Sequence, residues 1–119
     1  MGNTSKTKIL SNQTADETTS RTFALNNALR VGMDVVWPEG ANAGNVVLER
    51  APNNSFTGTW QQLLARAVPS SPPPAGGQTT TDGQDIVDGG VARVRIETGI
   101  AGGAGGAGVD VYVSLYYGP

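Results

Sequence analysis

The feature that most constrains this chain is a two-residue alternation in its C-terminal third. Val91–Thr98 reads VARVRIET, with Ala92, Val94 and Ile96 on one side and Arg93, Arg95 and Glu97 on the other. Val109–Tyr117 repeats the pattern, with Val109, Val111, Val113 and Leu115 opposed by Asp110, Tyr112, Ser114 and Tyr116. Successive side chains of a strand point to opposite faces, so these runs are strands with one face in a core and the other outside it. Shorter runs follow the same grammar. Arg21–Leu25 puts Phe23 and Leu25 together; Met33–Trp37 does so for Met33, Val35 and Trp37, and Pro38 with Gly40 ends it. Asn45–Arg50 is closed by the turn residues Ala51–Asn54, and Gln84–Val87 is a short strand. Thr57–Leu64 carries Trp60 and Leu64 to one side, but Gln61–Ala67 (QQLLARA) has high helix propensity and predicts a strand breaking into a helical turn.

With Lys6–Leu10 there are eight candidate strands, and no amphipathic helix competes with them. Composition agrees: 17 Gly and 7 Pro among 119 residues are about a fifth of the chain, and only 15% of residues are charged, against about 25% in an average domain. The expected fold is all-β, an eight-stranded antiparallel β-sandwich of jelly-roll-like form; strand count alone leaves an immunoglobulin-like sandwich open. Residues 1–20 are almost wholly polar, with only Ile9, Leu10 and Ala15 apolar after Met1. They are expected to form an N-terminal arm, either disordered or ordered against a partner with Lys6–Leu10 as its strand. Residues 21–119 then make a single domain, interrupted by an irregular loop at 68–83 that is rich first in Pro and then in Gly and Thr.

Absent residue types exclude most chemistry. The chain has no Cys and no His, hence no thiolate nucleophile, no Ser-His-Asp triad and no His- or Cys-ligated metal. A net charge of −2 without a basic block argues against a nucleic-acid partner. No apolar run approaches the ~18 residues of a membrane span, and Met1–Leu10 lacks the apolar region of a signal peptide. No cofactor, no membrane partner and synthesis in the cytoplasm are therefore expected. Gly103–Gly108 satisfies G-x-G-x-x-G, but a strand rather than a helix follows, so it reads as a loop and not a dinucleotide site. Asp82, Asp85 and Asp88 lie at three-residue spacing beside glycines; they do not match a calcium loop and suit turns instead. Trp37 and Trp60 are assigned to the core, which has few other large side chains. If Val91–Thr98 and Val109–Tyr117 are neighbours, Arg93, Arg95, Tyr112 and Tyr116 share one outward face. Tyr and Arg are enriched at interface centres, which makes that face the candidate subunit or partner contact.

The segment GNVVLERAPNNSFTGTW (Gly44–Trp60), followed by VARVRI (Val91–Ile96) and a Gly-rich turn into VDVYVSL (Val109–Leu115), resembles small β-sandwich proteins of tailed-phage virions. It is most similar to the capsid cement, or decoration, proteins. That resemblance implies a non-enzymatic module, dimeric or trimeric, which sits on the capsid exterior and clamps neighbouring copies of the major capsid protein. The family has no catalytic residues to carry over. Two other classes stand beside it: a phage tail or fibre module binding host glycan, which an exposed Trp37 or Trp60 in a concave site would support, and an immunoglobulin-like adhesion module. An enzyme would require a pocket with paired carboxylates.

Overall fold

The structure is a computed structural model and describes residues 3–16, 21–86 and 89–118. Among these residues eight strands run in the order β1 (Asn3–Gln13), β2 (Arg21–Ala24), β3 (Arg30–Trp37), β4 (Ala43–Ala51), β5 (Gln61–Ala67), β6 (Gln78–Asp85), β7 (Val91–Ala101) and β8 (Val109–Tyr117). They form two antiparallel sheets. Sheet I has the order β1-β8-β3-β6 and sheet II the order β2-β7-β4-β5. The pairs β1·β8, β2·β7, β3·β6 and β4·β5 are those of one long hairpin, and rolling it up adds β8·β3 and β7·β4. The expected all-β sandwich is thus observed, in the jelly-roll form.

The alternation explains the core. Val31, Met33, Val35 and Trp37 of β3, Val46 and Leu48 of β4, Ala92, Val94 and Ile96 of β7, and Val109, Val111, Val113 and Leu115 of β8 all turn into the space between the sheets. Trp37 lies wholly inside it, and its indole N–H donates to Thr80 Oγ1 at 3.0 Å, so the one polar atom of the ring is satisfied.

Three expectations are corrected. The strand expected at Lys6–Leu10 is present but longer, and the segment assigned to a polar arm is an integral edge of the sandwich: β1 pairs with β8 in unbroken register from Asn3↔Tyr117 to Lys8↔Tyr112. Backbone hydrogen bonds and two buried side chains hold it there, which its polar composition conceals. Ile9 and Leu10 are both buried although adjacent, because a register shift between Lys8 and Leu10 inserts a bulge that turns both inward. Residues 17–20 of that segment lie outside the described residues. The second correction is the helical turn: Gln61–Ala67 is strand throughout, with Leu64 and Arg66 opposite the inward Leu48 and Val46 of β4. Pairing along β4 overrides the helix propensity of QQLLARA. Third, the irregular loop is shorter than expected. Gln78 begins β6, whose threonines suit a strand and which covers the flank of β3. Gln84 belongs to β6, whereas Val87, placed in a strand by the sequence, lies outside the described residues.

Candidate functional site

β7 and β8 belong to different sheets, so the shared outward face expected from the sequence does not exist. Arg93 and Arg95 lie together on the outside of sheet II, and Tyr112 and Tyr116 lie together on the outside of sheet I, with the whole sandwich between the two pairs. The loop between the strands crosses from one sheet to the other, so neighbours in sequence are not neighbours in a sheet.

The outside of sheet II is a closed ladder of charges. Glu49, nearly buried, accepts from Arg93 Nε at 2.7 Å and from Arg95 Nη1 at 3.4 Å. Arg95 also reaches Asp16 at 3.3 Å, and Asp16 Oδ1 accepts the backbone N–H of Ile96 at 3.1 Å. Burial works against the charge on Arg95, but Glu49 and Asp16 outweigh it and hold its pKa above the ordinary arginine value. Trp60, which the sequence assigns to the core, is not a core residue. It is half-buried outside sheet II, with the Arg93 guanidinium 4.0 Å from its ring centre. One face of that indole is occupied by a cation, and Trp37 is fully enclosed, so neither is a bare platform for a sugar ring.

On sheet I, Lys6 and Lys8 of β1 reach across Tyr112, 5.5 and 5.7 Å from its ring centre, to pair with Asp34 at 2.8 Å and Asp110 at 3.5 Å. Thr81 donates a second hydrogen bond to Asp34 at 2.7 Å. Tyr116 leans over Gly32, where a Cβ would meet its ring at 3.4 Å, and it remains 40% exposed. Leu29, whose N–H donates to the Tyr116 carbonyl at 2.8 Å, is 54% exposed beside it. Asp82 and Asp85, three apart along a strand, point to opposite faces: Asp82 pairs with Arg66, Asp85 with Arg30, and Asp88 lies outside the described residues. No group of three or more potential metal ligands occurs among the described residues.

The two long sides of the sandwich differ. Where β5 faces β6, Arg66 donates from Nε and Nη2 to the two carboxylate oxygens of Asp82, at 2.7 and 2.6 Å, and joins the sheets across the gap. Where β1 faces β2, the inward side chains of β1 include Ser5 and Thr7, and a cleft of about 220 Å³ opens between the sheets, lined also by Ile9, Phe23, Leu115 and Tyr117. This cleft was not foreseen. The small residues Ser5 and Thr7 at the inward positions of β1 are its signal, but they are seen to be inward only through the pairing with Leu115 and Val113 of β8, which the sequence does not give.

No family model matches the chain, and no curated protein sequence matches it. Solved structures do share its fold. The SPBc2 prophage-derived protein YomS superposes with a TM-score of 0.63 over 98% of this chain and 95% of that one, at 7% identity. The PBSX exported protein XepA superposes with a TM-score of 0.61 over 97% of this chain but 38% of its own length, at 14% identity. At such identities the likeness is one of fold: the same rolled sandwich is built in two phage-derived proteins, once as nearly the whole chain and once as part of a longer one.

Proposed function

We propose that this protein is a non-enzymatic structural component of a phage particle that binds the outside of the capsid and clamps neighbouring copies of the major capsid protein. The observation that carries this reading is the end-to-end match of fold with a prophage-derived protein of similar extent. The flat body, 39 × 36 × 20 Å, supports it, because its edges and loop ends are disposed on several sides and suit contact with more than one neighbour. A clamp that binds only assembled subunits stabilises the shell by RT ln(1 + [L]/Kd) per site, about 2.7 kcal/mol at a hundredfold excess over Kd, and the many equivalent sites of an icosahedral shell multiply it. Association of this chain as a dimer or trimer adds avidity. The exposed Leu29 and Tyr116 offer an apolar contact for such association.

The alternative, a tail or fibre module binding host glycan, draws less support from the geometry because Trp37 is enclosed and Trp60 carries Arg93 on one face. Particles stripped of the protein should release their genome at a lower temperature than decorated ones, and adding the protein back should restore the difference. Equal heat tolerance, with saturable binding of the isolated protein to a host polysaccharide, would transfer the function to the glycan-binding reading.

A further inference from the structure

The β1 side of the sandwich combines two features that meet nowhere else among the described residues. First, β1 is the outermost strand of sheet I and pairs only with β8, in regular register over Asn3–Lys8. Alternate backbone N–H and C=O groups of that stretch therefore point away from the sheet. Second, the cleft between the sheets opens directly beside this edge, with Phe23 of β2 on its far wall and Leu115 and Tyr117 at its floor. A further strand laid along β1 would continue sheet I. Its inward side chains would fall into the cleft against Phe23, and its outward ones would stand beside Thr4, Lys6 and Lys8.

Charge selects the occupant. β1 contains two lysines and no acidic residue, and the Lys6 and Lys8 side chains remain 54% and 41% exposed despite their pairing with Asp34 and Asp110. Two copies of β1 placed edge to edge would set lysine rows against each other, which disfavours self-pairing. A strand with carboxylates on its outward face would instead draw the two lysine side chains from their exposed pairs with Asp34 and Asp110 over β8 and β3 to the free edge. We propose that β1 and the adjoining cleft form a strand-addition site for an extended segment of another protein that alternates apolar and acidic side chains. Backbone pairing supplies the affinity of such a site and the alternate side chains its specificity. The inference goes beyond the capsid reading, since a shell subunit or a tail subunit would be gripped in the same way.

The test uses the full chain and three blocked heptapeptides: Asp-Val-Glu-Leu-Asp-Val-Glu, its Asn/Gln counterpart and its Lys counterpart. The acidic peptide should bind saturably and slow amide exchange at Asn3–Lys8. Affinity should fall about fivefold for the uncharged peptide, as two exposed ion pairs allow, and further for the lysine one. Thr7→Phe, which fills the cleft from within, should keep the melting temperature and lose the peptide. Exchange protection in the wild-type protein is informative even if that variant fails to fold. Absence of saturable binding, equal affinity for the lysine peptide, or protection falling elsewhere than β1 would overturn the proposal. So would dimerisation of the free protein that itself protects Asn3–Lys8, because a second copy would then be the occupant. None of these outcomes bears on the heat tolerance of decorated particles, so the two readings fail separately.

Discussion

Gly44 shows how a single backbone position secures the core. Its φ of 149° lies in the range that side chains avoid, and a Cβ there would come 2.5 Å from Ile100 Cδ1 and 3.0 Å from Trp37 Cζ3. Gly44→Ala must displace the indole or the isoleucine, and a loss of about 1–3 kcal/mol in urea unfolding is expected. Asp34 gives a second, pH-dependent case. Burial pushes its carboxyl up, but hydrogen bonds from Lys6 and Thr81 and the charge of Lys6 outweigh it and hold the pKa below the ordinary 3.8. A carboxyl depressed on folding contributes stability above its unfolded value and loses it as pH falls through the depressed one. Lys6→Met removes the bond and the charge yet leaves the burial, so Asp34 should titrate at higher pH in that variant, and the acid limb of the stability curve should move up with it. An unchanged NMR titration of the Asp34 carboxyl carbon would show that the pair contributes nothing. At this scale the inward residues of β7 and β8 were legible from alternation alone, whereas Trp60 was not. Composition says that a large apolar ring needs cover; it does not say that the cover is Arg93 on an outer face.

Among the elements, those with two alternating chemistries were legible along most of their length and those with one only over a short stretch. β3 and β8 carry apolar residues at every second position, β7 does so over Ala92–Ile96, and β4 has the apolar run Val46–Leu48; β6 reads QTTTDGQD and β1 reads NTSKTKILSNQ, with almost nothing apolar to alternate. Both are edge strands, ordered chiefly by the ladder that a neighbour offers, so their signal resides in β3 and β8 rather than in their own sequences. β5 is a third kind of miss, where local helix preference and tertiary pairing disagree and pairing wins. The placement of β1 has a direct consequence. Deleting residues 2–13 removes the burial of Ile9 and Leu10, about 1.5–3 kcal/mol each, together with the ladder that covers β8. Against a total stability of about 5–15 kcal/mol for a typical domain, the truncated chain should melt far below the full one or not fold at all. A thermal circular-dichroism melt unaffected by the deletion would restore the segment to the status of a dispensable arm.

The whole molecule should behave as one cooperative unit in spite of its two layers. Every connection except β4 to β5 passes from one sheet to the other, so neither sheet is a continuous piece of chain that can persist alone. β1 closes on β8, joining the two ends of the fold, and Arg66 with Asp82 joins the sheets along the opposite side. Long-range pairing of this kind leaves few local substructures to survive partial unfolding. The two tryptophans are placed to test it: Trp37 sits between the sheets, and Trp60 lies outside sheet II against Arg93. In Trp60→Phe the remaining indole reports on the core, and in Trp37→Phe it reports on the outer face. Trp37→Phe should be the less stable of the two variants, because it leaves a void and takes the donor from Thr80. Within each variant, however, the fluorescence transition in urea should coincide with the loss of far-ultraviolet circular dichroism, at one midpoint and one slope. A Trp60 transition that precedes the loss of strand signal would mean that the charge ladder on sheet II releases before the sandwich does, and the molecule would then be two-state only in its core.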